Sequence, residues 1–111
     1  FEKTETQNKK VLALDKKNKG FLLIDFNSKE KEVVNFIDLN TVDSCKLAIT
    51  AEGNSNTIEK IDFEFLHKKD KKIETIPFYK IENDQMGQVC LHEDHQLAKK
   101  WREILQDCIS S

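Results

Sequence analysis

The residues best equipped for chemistry stand together near the C-terminal end, in the run Cys90-Leu91-His92-Glu93-Asp94-His95. A thiolate and two imidazoles at C-x-H-x-x-H spacing are a donor set that suits zinc. A cysteine nucleophile with a histidine base can also be assembled there, or with Cys108. Position argues against both. Cys90 and His92 fall in phase at the end of a short strand, whereas His95 opens a helix, so the three need not converge. No second Cys/His pair stands at the spacing that completes a finger. Glu93 and Asp94 are neighbours at a helix start, where carboxylates meet the positive end of the macrodipole, and that accounts for them. His67, the remaining histidine, closes the apolar face of a strand and reads as a rim residue. Gly-rich phosphate loops, H-E-x-x-H and G-x-S-x-G are all missing. The sequence therefore predicts no enzyme, no metal site and no cofactor.

The elements that would hold these residues are mostly strands. From Asp94 to Cys108 the apolar positions Leu97, Trp101, Ile104, Leu105 and Cys108 fall on one helical stripe, with Lys99, Lys100, Arg102 and Glu103 on the wet side. Asp94 suits the N-cap or first turn. Before this helix the chain alternates with period two. The predicted strands are Lys10–Asp15, Phe21–Phe26, Glu32–Leu39, Ser44–Thr50, Ile58–Lys68, Lys72–Ile81 and Gln88–Leu91. Phe1 to Lys9 is polar after Phe1 and reads as a linker, leaving 10–111 as one domain. Phe21–Phe26 is nearly continuous apolar, the pattern of a strand covered on both faces or capped by neighbouring side chains. Phe63 and Phe65 point with Ile61 to the core, because their outward neighbours Asp62 and Glu64 would repel a nucleic-acid backbone. Cys45 alternates with Leu47 and Ile49, and Cys108 lies on the helical stripe, so both read as small buried hydrophobes. Pro77 predicts an edge strand or bulge, and the phase slip between Ile73 and Ile76/Phe78 predicts the bulge as well.

Turns separate these strands. Asn18 and Gly20 are the residues suited to positive φ at the first tip, Lys16–Gly20. Ala51–Asn56 is the longest loop, and Asn27–Lys31 and Asn83–Gly87 are further turns. Seven short strands and one amphipathic helix predict a mainly β fold, an antiparallel sandwich or barrel capped by the helix.

Composition narrows the partners. The 111 residues carry 34% charged and 38% hydrophobic side chains with a net charge of −2. That balance gives no global attraction to nucleic acid. Lysine supplies 17 of the 18 basic residues and Arg102 the other, which removes most bidentate readout of phosphate or guanine. Three cysteines at wide spacing do not form a secreted disulfide framework and suit a reducing compartment. Nothing from Phe1 onward approaches the length of a membrane span.

A four-plus-three meander followed by a helix resembles the pleckstrin homology (PH) superfold. The residues that carry the likeness are Phe36-Ile37-Asp38-Leu39-Asn40-Thr41-Val42-Asp43-Ser44-Cys45, similar to a strand corner of bacterial PH-like domains, and mid-helix Trp101. The resemblance implies a binding or scaffolding module, placed in a larger bacterial protein, cytoplasmic, with a membrane attachment conceivable upstream of Phe1. It implies contact with a protein or a neighbouring domain. It also points to an alternative. Phosphoinositide-binding members use a basic loop between their first two strands, and here Lys10, Lys16, Lys17 and Lys19 approximate it, with lysine in place of the arginine. These four are the candidate anion-binding residues. A second basic tip carries Lys68, Lys69, Lys71 and Lys72. The PH arrangement implies that it lies at the opposite end from the first.

Overall fold

The computed structural model describes residues 2–7, 9–26, 33–51, 58–80 and 91–110. Its strands are β1 (Lys3–Gln7), β2 (Lys10–Asp15), β3 (Gly20–Asp25), β4 (Val33–Asp38), β5 (Val42–Ala51), β6 (Ile58–His67) and β7 (Ile73–Lys80). The helix α1 spans Leu91–Ser110, and one 3₁₀ turn, Leu39–Thr41, joins β4 to β5. The strands form two antiparallel sheets, ordered β1-β2-β3-β4 and β5-β6-β7. The mainly β class and the C-terminal helix match the sequence pattern.

The strands themselves differ at both ends of the chain. Lys3–Gln7, read as a linker, is a full edge strand, paired from Lys3↔Leu14 to Gln7↔Lys10. Its five residues are polar, so alternating hydropathy does not mark it. Polar bonds hold it instead, chiefly through Glu5. At the other end, Leu91 opens the helix rather than closing a seventh strand. Residues 88–90 of that strand lie outside the described residues, as do the turns at 27–31 and 83–87 and positions 52–56 of the longest loop. Leu91, Asp94, Leu97, Ala98, Trp101, Leu105 and Cys108 make one inward stripe. A charged residue in that stripe, Asp94, is what hid its first turn from the hydrophobic period.

Phe21 stands at the centre of the core. Its ring lies 6.0 Å from Phe63, 6.0 Å from Phe65 and 5.9 Å from Trp101, so one side chain touches both sheets and the helix. Leu12, Leu14, Leu23 and Ile37 fill one inner face, and Cys45, Ile61, Ile76 and Phe78 the other. Pro77 lies on edge strand β7. The β6–β7 register passes from Ile61↔Tyr79 to Asp62↔Pro77, so Phe78 is the extra residue of a bulge, where Pro77 predicted one; the phase slip at Ile73 reflects an exposed side chain, since the ladder from Ile73 to Ile76 is regular.

Two expectations need correction. Lys19, with φ 55°, takes the left-handed position at the first tip. Gly20 instead opens β3 beside Phe36, whose ring atoms would stand 3.0 Å from a Cβ at this position. Phe21–Phe26 is covered on one face only: Phe21 and Leu23 are buried, Leu22 and Ile24 are half-buried, and Phe26 is 49% exposed.

Candidate functional site

The four candidate anion-binding lysines do not form one site. Lys10 opens β2, at the far end from the tip that follows Asp15. It is buried, and its Nζ donates to Asp94 Oδ2 at 2.8 Å. The same ammonium lies 5.4 Å from the centroid of the Phe78 ring. Lys10 therefore holds the first turn of α1 against the sheets and leaves the basic cluster.

Lys16, Lys17 and Lys19 remain at the tip, but the loop joins the second and third strands rather than the first and second. The missed strand β1 shifts the count by one. The 3₁₀ turn then brings the two basic tips to the same end. Asn40 Nδ2 donates to the Asn18 carbonyl at 3.0 Å, and Leu39 N to the Lys19 carbonyl at 2.8 Å. From the other side, Lys68 N donates to the Thr41 carbonyl at 2.9 Å. The opposite placement expected from the PH resemblance is thus corrected.

Acids accompany the lysines at this end. Glu2 accepts from Lys16 N at 2.7 Å, and Asp70 accepts from Lys72 N at 3.1 Å. Asp43 lies 3.7 Å from Lys71 Nζ. Asp38 accepts from Asn40 N and caps the 3₁₀ turn. Side-chain and backbone hydrogen bonds from Asn18 lower the pKa of Asp15, so this carboxyl stays ionised. Seven lysines thus face five acids: Glu2, Asp15, Asp38, Asp43 and Asp70.

Of the metal-type run, Cys90 lies outside the described residues, and His92 and His95 share the start of α1. His95 is half-buried, and its Nε2 has no hydrogen-bond partner among the described residues. Burial first, then the nearby charges of Lys99 and His92, push its pKa down. Among the described residues no group of three His, Cys, Asp or Glu side chains is placed to hold a metal ion. His67 Nε2 lies 2.9 Å from Glu74 Oε1, with Thr41 Oγ1 3.5 Å from Nδ1. Cys45 is buried, and burial pushes its thiol up to about 12.

A groove of about 330 Å³ runs between β1 and the start of α1, lined in part by Glu5, Gln7, His92, Glu93 and Lys100. Its central acid is already engaged. Trp101 Nε1 donates to Glu5 Oε1 at 2.9 Å, and Lys100 Nζ stands 2.8 Å from the same oxygen. Burial raises the Glu5 pKa, but the bonds from Lys100 and Trp101 outweigh it and the net shift is downward. This acid is a latch between β1 and the helix.

The feature that sequence reasoning missed is the outer face of the four-stranded sheet. The register aligns Ala13, Leu22 and Phe36 in one row and Val11, Ile24 and Val34 in the next. These rows alternate with the core-facing Leu12, Leu14, Phe21, Leu23 and Ile37. Val34 is 55% and Phe36 59% exposed. The signal was present: Phe21–Phe26 is apolar in both phases, and Val34 and Phe36 sit out of phase with Ile37. A strand apolar on both faces normally means two covered faces.

Comparison with protein-family models, with curated proteins and with solved structures found no match. Among the described residues no helix is long and apolar enough to cross a membrane.

Proposed function

We propose that this chain is a non-catalytic binding module of PH-like sandwich architecture, and that its partner is a protein. The observation that carries the reading is the apolar outer face of β2, β3 and β4, where Val34 and Phe36 are more than half exposed. Contiguous apolar surface of this kind is characteristic of contact sites. The odd count of three cysteines at wide spacing suits a reducing compartment.

A second reading, binding of anionic lipid headgroups, gains from the meeting of both lysine tips at one end. Its magnitude is small. Seven lysines against five acids leave an excess of two charges. At about 1 kcal/mol per charge near an anionic bilayer, that is about 2 kcal/mol. A millimolar interaction needs about 4 kcal/mol. Liposome co-sedimentation with and without phosphoinositide, at low and physiological salt, tests the choice. The expected result is no binding at physiological salt. Micromolar binding that survives salt and is lost in the Lys16→Glu, Lys17→Glu, Lys19→Glu variant would replace protein contact with lipid contact.

A further inference from the structure

Among the described residues the two sheets end in four edge strands, and three of them are guarded. β1 is short and turns the charges of Lys3 and Glu5 inward, Glu5 being tied to Trp101 and Lys100. β7 carries Pro77 and the bulge at Phe78. On β5, Cys45 N is taken by Gln106 Oε1 at 3.0 Å from the helix. Inward charges, proline, bulges and a covering helix are the usual defences of an edge. β4 has none of these among the described residues, and its Val-Val-Asn-Phe run contains no charge.

The ladder fixes which of its groups are free. Leu39 N donates to the Lys19 carbonyl, and the β3–β4 register continues that pairing through Phe21↔Ile37, Leu23↔Asn35 and Asp25↔Val33. Hydrogen-bonded pairs alternate along an antiparallel ladder. The N–H groups of Val33, Asn35 and Ile37 therefore face β3, and those of Val34 and Phe36 face away from it. The same two residues carry the exposed side chains on the outer face.

We infer that the free edge of β4 accepts an extended segment of another protein as a fifth, antiparallel strand, acidic at its N-terminal end and apolar at the positions opposite Phe36 and Val34. This rests on the protein-contact reading. Direction follows from charge. The C-terminal end of β4 runs into the 3₁₀ turn between the two lysine tips, so the N-terminus of an antiparallel segment enters beside the excess positive charge. A second copy fits poorly. The residues preceding its own β4, 27–32, supply two lysines and two glutamates, so they offer no charge match.

The test uses isotope-labelled protein and the synthetic peptide Glu-Asp-Glu-Thr-Thr-Val-Thr-Val-Thr. The expected result is exchange protection of the Val34 and Phe36 amides on titration, with the β7 amides unchanged. A peptide with three lysines in place of the three acids should bind at least about fivefold more weakly, the difference closing near 1 M salt. Val34→Pro removes an edge donor and keeps every bond to β3, so it should abolish binding without unfolding the sheet. Lys17→Glu with Lys69→Glu, which leaves β4 untouched, should weaken the acidic peptide alone. Binding that survives Val34→Pro, protection elsewhere, or no binding at millimolar peptide overturns strand addition. Protection of the same amides that rises with protein concentration alone assigns the edge to a second copy and overturns the proposed occupant. If these tests fail while liposomes also stay unbound, strand addition falls and protein contact stands; liposome binding at physiological salt removes both.

Discussion

Removing one member of the Lys10–Asp94 pair should be among the most damaging single changes in this protein. Asp94 is fully buried, Lys10 is 5% exposed, and their charged atoms are 2.8 Å apart. At an effective dielectric constant near 20, that separation gives an attraction of about 6 kcal/mol. Desolvation costs several kcal/mol for each ion, so the net worth of the intact pair is close to zero. A single deletion leaves the desolvation cost of the survivor uncompensated. Asp94→Leu or Lys10→Met should each lose about 3–5 kcal/mol, against a total stability of about 5–15 kcal/mol for a domain of this size. The double variant replaces a charged pair with apolar volume and should recover most of the loss. Urea unfolding of the four proteins measures the coupling directly. Losses below about 1 kcal/mol for the singles, or a double variant that loses their full sum, would refute the assignment of a desolvated, mutually dependent pair.

Glu5 gives a pH signature. Its folded pKa is depressed, so its stabilising effect is complete above the unfolded value near 4.5 and is lost as pH falls through the folded value. Glu5→Gln should lower the melting temperature at pH 7, and the gap from wild type should close as pH falls below the unfolded value and through the folded one. Trp101→Ala empties a fully buried site and should cost about 3–5 kcal/mol, whereas exposed Lys99→Ala should stay within about 0.5 kcal/mol in the same urea titration. In a Cys90→Ser background, a thiol reagent at pH 8 should leave Cys45 unmodified until urea unfolds the chain, because its pKa of about 12 keeps it protonated. Excess chelator should leave the melting temperature unchanged; a sharp drop with about one zinc per chain would restore the Cys90, His92, His95 site.

What the sequence revealed followed the contrast between apolar and polar positions. Ile61, Phe63 and Phe65 alternate against charged neighbours, so β6 and its inward face were legible. Leu97, Trp101, Leu105 and Cys108 keep a helical period, so the helix face was too. The bulge beside Pro77 had a breaker to mark it, whereas the phase slip at Ile73 came from an exposed side chain on a regular ladder. Three features rested on polar chemistry: the reading missed β1 and the role of Lys10, and it placed Asp94 in the first turn of the helix but not its buried partner. β1 is held by Glu5 rather than by apolar side chains. Asp94 occupies an apolar stripe because Lys10 meets it from a strand 84 positions away. Lys10 itself looked like a surface cation. Losing β1 then displaced the whole strand count, which put the lysine tip in the wrong loop. The bare β4 edge was invisible for a different reason, since an edge exists only once the sheet order is known.

The bonds that join β1 and β2 to the helix span 96 and 84 positions of sequence. A ribosome adding about 5–20 residues per second takes roughly 4–17 s to make the chain between Lys10 and Asp94. Throughout that interval Lys10 has no carboxylate to meet, Glu5 has no indole, and Phe21 lacks the Trp101 ring. The four-stranded sheet, although local in its own pairing, therefore waits for α1 before its inner face is complete. The β4 edge, unguarded among the described residues, is open at the same time. The period of synthesis, rather than the finished fold, is when this chain is most exposed to wrong partners.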